Sequence, residues 1–201
     1  MTWRSASEAT LIKSAGRRDW GAFEELVERY HSHIFALALH ALQNPVAAEQ
    51  ALQATFAAAW ERLPAYHGRS PFTSWLAGLC AREVTRLLPR AAGPPQPDAS
   101  RAVTTISKAT GRGGRWRPRE LRLRVAIATT VASLPASQRV SFVLGKLGGV
   151  SPKDIASALG VDPPVVRRHI HEAVLSVVEG INAWCHAPSW RGPDPFASSP
   201  Q

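Results

Sequence analysis

Between Ser151 and Val177 two helix starts and one helix stop fall so close together that the chain must double back on itself. Ser151 is suited to cap a helix and Pro152 to stand first in it, because the serine oxygen takes an orphan N–H and proline has none to lose. Ile155, Ala156 and Leu159 then share one face at helical spacing. Gly160 supplies the left-handed stop without steric cost. Asp162 and Pro163 repeat the start signal. Val166, Ile170, Ala173, Val174 and Val177 predict the buried stripe of the second helix, and Arg167, Arg168 and His171 lie off that stripe. A short helix, a tight turn and a basic second helix is the geometry that enters a DNA major groove. On this stretch alone, two helices of any bundle with solvated arginines would read the same way.

The first half carries three more helical patterns. Phe23, Leu26, Val27, Tyr30, Ile34, Leu37, Ala38 and Ala41 step by three and four behind Asp19. Asn44-Pro45 stops that helix and starts the next, whose stripe is Ala48, Leu52, Thr55, Phe56, Ala59 and Leu63, ended by Pro64. After a polar loop at residues 65–70, Ser70-Pro71 opens a third helix with Phe72, Trp75, Leu76, Leu79 and Leu87 inward and Arg82 and Arg86 outward. Phe72 and Trp75 read either as core or as an aromatic platform on which an unpaired base could stack. Tyr66, His67 and Arg69 in the loop before them suit that use, as they suit a plain polar loop.

From Pro89 to Arg119 five prolines and four glycines leave few apolar residues, which predicts a flexible connector. Nine basic residues against two acids between Arg90 and Arg124 carry most of the chain's net charge of +9. Such a tether is either simply solvated or lies along a polyanion and releases its counterions. It spans roughly 30 Å as a coil and about 100 Å extended. Beyond it, residues 120–133 and 136–147 read as helices, the first with Leu121, Val125, Ala128 and Val131 inside, the second with Val140, Val143, Leu144 and Leu147. The expected fold is all-α: two small helical domains joined by a flexible basic linker. Residues 1–18 form an N-terminal extension, 19–88 the first domain, 89–119 the linker, 120–181 the helix-turn-helix domain and 182–201 a disordered tail, with Trp184 or Trp190 docked on a helix.

Several functional classes find no support. Cys80 and Cys185 make neither a disulfide framework nor a metal spacing, which suits a reducing cytosol. Neither a signal peptide nor an apolar run of about 20 residues is present, so secretion and membrane insertion are not expected. There is no phosphate-binding glycine loop and no set of metal ligands. His31 and His33 do not converge, nor do His169 and His171. Neither enzymatic activity nor a cofactor is expected.

Four stretches in order resemble the extracytoplasmic-function (ECF) group of bacterial sigma factors. They are Ala22-Phe-Glu-Glu-Leu-Val-Glu-Arg-Tyr30; Ala48-Glu-Gln-Ala-Leu-Gln-Ala-Thr-Phe56 running to Trp60; Gly68-Arg-Ser-Pro-Phe-Thr-Ser-Trp-Leu76; and Leu134-Pro-Ala-Ser-Gln-Arg139 followed by 151–173. The resemblance covers about 23–90 and 121–179. It implies that the first domain docks on RNA polymerase core through Glu49, Gln50, Leu52, Gln53 and Phe56. It implies capture of an unpaired base of the minus-ten promoter element near Tyr66, His67, Arg69, Ser70, Phe72 and Trp75, with Arg82 and Arg86 along the melted strand. It implies that Pro164, Val165, Arg167, Arg168 and His171 read the minus-thirty-five element. Promoter DNA, core polymerase and an anti-sigma factor are the implied partners, in the cytoplasm. The chain departs from the family at Gln50 and Ala54, where acids are usual, at Glu83, where asparagine is usual, and at Pro163-Pro164. A helix-turn-helix regulator working without polymerase, or a sigma-like protein that titrates an anti-sigma factor, are the other readings.

Overall fold

The structure is a computed structural model describing residues 3–91 and 118–186. Most of the linker, the tail beyond His186 and the side chains of Leu121, Val125, Trp184 and Trp190 lie outside the described residues. The described backbone forms eight α-helices and no strand: α1 (Glu8–Ala15), α2 (Trp20–Leu42), α3 (Pro45–Arg62), α4 (Phe72–Ala91), α5 (Pro118–Ser133), α6 (Ala136–Phe142), α7 (Pro152–Leu159) and α8 (Pro163–His186). α4 and α8 run a few residues past the boundaries that composition suggests. Proline and glycine mark where a helix is hard to continue, and residues 182–186 contain neither.

The caps work as their residue types require. Asp19 accepts from the amide of Ala22 at 3.0 Å. Asn44 accepts from Val46 and Ala47 at 3.0 and 3.1 Å. Ser151 accepts from Asp154 at 3.2 Å, with Pro152 first in α7. Gly160 ends α7 at φ 67°, a conformation that costs a β-carbon about 1–2 kcal/mol. α2 ends on a non-glycine left-handed residue, Gln43 at φ 54°. Its amide side chain donates to the His40 carbonyl at 2.8 Å and so fills one orphan acceptor of the last turn.

Two elements differ from the sequence reading. Within the N-terminal extension, Ser7 caps α1 by accepting from Thr10, and Leu11 and Ala15 are fully buried against the first domain. The second helix of the C-terminal half holds α geometry only to Phe142, and Val143–Leu147 wind as a π-helix. Its wider turn is closed by bonds from Gly148 to Val143 and from Val150 to Leu144, each 3.0 Å. Gly145 lies in this segment, and a β-carbon there would stand 2.9 Å from Ile170 Cδ1. The absent side chain leaves room there for the end of Ile170 from α8.

The two halves pack together. Their buried apolar residues form one continuous cluster, from Leu11 to Val177. α4 lies against α7, and α2 against α6 and the π-helical segment. The turn Gly148-Gly149 approaches the small face of α4: a β-carbon on Gly148 would be 3.3 Å from Ala77 Cβ, and one on Gly149 3.0 Å from Ser74 Oγ. Arg139 pins the junction. Its Nε donates to the Ala41 carbonyl at 3.0 Å, and its Nη1 to the carbonyls of Leu134 and Ala132 at 2.9 and 3.3 Å. One guanidinium thus serves the C-terminal ends of α2 and α5, where unpaired carbonyls and the helix dipoles both favour a cation. Burial lowers its pKa from the usual arginine value.

Candidate nucleic-acid interface

The loop between α3 and α4 is held in shape by its own residues. After α3, Leu63–Ala65 form a 3-10 turn. Gly68 turns the chain at φ 69°. The Tyr66 hydroxyl donates to the Ser70 carbonyl at 2.5 Å, closing the loop. The Tyr66 ring packs 5.0 Å from Trp75 and 5.6 Å from Phe72, and Phe72 stacks on Trp75 at 5.4 Å. Ala65, Tyr66, His67, Arg69, Ser70 and Trp75 line a pocket of about 250 Å³. Its aromatic wall, exposed arginine and loop hydroxyl are the groups that stack and hydrogen-bond an unstacked base.

Phe72 is placed differently from its neighbours. It is 2% exposed, covered by Tyr30, Tyr66 and Trp75, so it does not line the pocket but backs Tyr66 and Trp75 from within, and offers no free face. The supporting Tyr30 hydroxyl donates to the Glu8 carboxylate of α1. Burial and that carboxylate raise the Tyr30 pKa well above the usual phenol value. Tyr66 is likewise raised, by burial first.

Arg82 and Arg86 are exposed on α4. Arg86 is not free: both Nε and Nη2 lie 2.9 Å from Glu83 Oε2. The acid at position 83 therefore leans on its own helix and neutralises the cation beside it, leaving Arg82 without an ion pair among the described residues. On α3, Glu49, Gln50 and Gln53 are exposed, with Gln53 donating to Glu49 at 3.2 Å. Leu52 and Phe56 are 8% and 9% exposed and belong to the core, Phe56 packing edge-on to Phe23.

On the second hairpin helix, Pro164, Arg167, Arg168 and His171 are exposed, and Val165 is half-buried. Val166 and Ala173 are fully buried, so the stripe and the basic face separate as the spacing requires. Glu172 is occupied by Gln138 at 2.8 Å and stands 3.8 Å from Arg168, too far to fix it. The exposed face of α8 thus carries two arginines whose guanidinium groups can turn to an anionic partner.

The Sigma-70 region 2 family model matches residues 26–92, and the Sigma-70, region 4 model matches residues 124–177. The chain belongs to the sigma-70 family. Its pairing of region 2 with region 4 is that of an ECF sigma factor. The RNA polymerase sigma-H factor of Pseudomonas aeruginosa is 27% identical over 178 residues, 81% of this chain and 88% of that protein. Two solved structures share the fold. CnrH, in complex with the cytosolic domain of CnrY, aligns with a TM-score of 0.54 at 24% identity, covering 87% of this chain and 96% of that one. The sigma factor RpoE of Bartonella quintana, in complex with the anti-sigma factor NepR, aligns with a TM-score of 0.52 at 17% identity, covering 80% and 96%. In sigma-70 terms the base-sized pocket lies in region 2 and the exposed arginines of α8 in region 4. Sequence reasoning passed over α1, although Ser7 followed by Leu11, Ile12 and Ala15 carries both a cap and a helical stripe. Among the described residues no helix is long and apolar enough to cross a membrane, and no three potential ligands gather to hold a metal ion.

Proposed function

We propose that this chain lends promoter specificity to RNA polymerase core in the cytoplasm, using two separated grips on DNA. The exposed Glu49, Gln50 and Gln53 of α3 meet the polymerase, with Leu52 and Phe56 shaping that face from within. The loop pocket takes one unpaired base of the minus-ten element between Tyr66, His67, Arg69, Ser70 and Trp75, with Phe72 packed behind Tyr66 and Trp75. Arg82, and Arg86 to the extent that Glu83 releases it, follow the strand. Pro164, Val165, Arg167, Arg168 and His171 engage the minus-thirty-five element. The observation that carries the reading is the braced, open, aromatic-walled pocket beside a basic helix, since a base must leave its stack to enter it. CnrH and RpoE are each held by a partner in their solved structures, and we extend this to an anti-sigma protein for this chain.

The purified protein mixed with core polymerase should yield transcripts from a defined set of promoters. Failure to form a stable complex with core would sink the proposal. A regulator that works without polymerase would instead shift its DNA alone. A decoy for an anti-sigma factor would keep its activity after Arg167→Ala and Arg168→Ala, whereas promoter binding here should fall by about 1–3 kcal/mol for each bidentate arginine–base pair removed.

A further inference from the structure

A second cavity adjoins the base pocket and shares Tyr66 and His67 with it. It measures about 580 Å³ and opens between α1 and the segment 63–68. Ile12, Leu63 and Pro64 give it apolar lining, and Lys13 and Arg17 its positive charge. Lys13 lines it from the last turn of α1 and Arg17 from the turn that follows the helix. Both are exposed, and neither makes an ion pair or hydrogen bond among the described residues. Neighbouring cations on this surface are used: Arg18 lies over the Trp60 ring at 5.1 Å and donates to the Trp60 carbonyl at 2.7 Å, and Arg29 pairs with Glu25 at 2.8 Å. The one acid in the cavity wall, Glu8, accepts from the Tyr30 hydroxyl, and Lys13 and Arg17 outnumber it, so the cavity keeps a net positive charge.

We propose that this cavity is a second nucleotide subsite, for the nucleotide next to the captured base, with its phosphate held by Lys13 and Arg17. The inference rests on base capture in the first pocket. A single strand is continuous, so a base fixed on one side of Tyr66 puts its neighbour within one backbone step of the other side. Tyr66 is the partition: its ring is clamped by Phe72 and Trp75, and its hydroxyl by Ser70. The second space is more than twice the volume of the first. It lies in the usual range of small-ligand sites, about 300–1,000 Å³, which suits a nucleotide with its sugar. The apolar lining suits a base face, and the cations suit phosphate. α1 is then part of the nucleic-acid interface.

The test uses the full chain bound to core polymerase and a duplex ending in a single-stranded minus-ten overhang. An abasic scan of the overhang with the wild-type protein first locates the captured base. The variant is Lys13→Gln with Arg17→Gln, both exposed and both replaced by a good helix former. It should bind the intact overhang about thirtyfold more weakly, two exposed ion pairs at the upper end of their usual worth. Its salt slope should fall by about 0.7, one phosphate contact on a single strand. On overhangs from which the nucleotide on one or the other side of the captured base has been removed, one truncation should abolish the difference between variant and wild type. An equal deficit on intact and truncated overhangs would mean diffuse attraction and overturn the subsite, as would unchanged DNA binding, even if the variant lost an acidic protein partner. If no abasic position weakens the wild type, base capture itself fails, and that signature is distinct from failure of the second subsite alone.

Discussion

Trp75 stacks on Phe72 and also lines the loop pocket, so its role in packing and its role in stacking can be separated by the DNA used. Trp75→Ala should cost about 1–3 kcal/mol of binding to a single-stranded minus-ten overhang, the usual worth of a base on an aromatic ring. The loss should vanish on an overhang made abasic at the captured position; a loss that stays the same there would assign Trp75 to packing alone. Glu83 works in the other direction. Because it holds Arg86 through Nε and Nη2, each at 2.9 Å, Glu83→Asn should free that cation and tighten strand binding several-fold at low salt, with the gain shrinking as salt is raised. A third residue gives a pH signature. Burial lowers the pKa of His40, in the last turn of α2, below its ordinary 6.5. The folded protein therefore favours the neutral ring, while the unfolded chain takes up a proton near 6.5. Stability from this group is intact above that pH and falls as the pH drops from about 6.5 toward the lower folded value. Urea midpoints measured from pH 7.5 to 5 should decline over that window, and His40→Gln should flatten the decline.

At the scale of elements, close approach between helices rests on a few positions without side chains. Gly180 on α8 faces Thr130 on α5, where a β-carbon would stand 2.4 Å from Oγ1 and 2.7 Å from Cγ2. Thr130 cannot easily turn aside, since its hydroxyl donates to the Ala126 carbonyl at 2.9 Å and its β-carbon is branched. Gly180→Ala should therefore destabilise the second unit by about 1–3 kcal/mol, although alanine favours the helix by up to about 1 kcal/mol. Chemical denaturation would measure this. Adding Thr130→Ala should recover most of the loss, and no recovery would place the strain elsewhere. Gly145 differs, because the atom in its way is the mobile end of Ile170. These close approaches explain why α5 and α8 can run side by side, and why the hairpin α7–α8 is carried on a firm base.

At the scale of the molecule, the packing of the two halves conflicts with the span proposed for them. Elements named minus-ten and minus-thirty-five lie 25 steps apart, about 85 Å along the duplex at ~3.4 Å per step. α8, the longest helix, is about 36 Å from end to end at 1.5 Å per residue. With α4 against α7 and α2 against α6, one body of this size cannot hold both elements. Engagement of both elements as proposed would require the junction to open. Arg139→Met removes the hydrogen bond to Ala41 and should shift the chain toward the open form. Ala77→Leu should do the same by wedging the Gly148 approach while leaving the second half untouched. Fluorescent labels on α3 and α8 should report a longer mean separation in both variants, and association with core polymerase should be faster. An unchanged separation in both would mean that Arg139 and the Gly148 turn do not hold the halves together.

Helix starts, stops and most stripes were legible in the sequence because each depends on residues a few positions apart; Leu147, expected inside, is 49% exposed because it ends the π-helical segment, whose wider turn shifts the face. Ser151, Gly160, Asn44 and the stripe from Val166 to Val177 behave as their types and spacing require. The basic face of α8 followed from the same periodicity, since what is not buried must face outward. The pocket at Tyr66–Trp75 was legible only as a set of suitable residues; that Phe72 is buried behind it while Trp75 is in its wall depends on Tyr30 and Glu8, which lie far off in the chain. Sequence alone could not show that Glu83 is turned onto Arg86, that α1 walls a second cavity, or that Arg139 reaches across 98 positions to Ala41. Periodicity tells which side of a helix is apolar, and says nothing about which other helix covers it. Those pairings arise only when the helices pack and bury their stripes together, and here they decide which cations are free for a partner and which are spent within the fold.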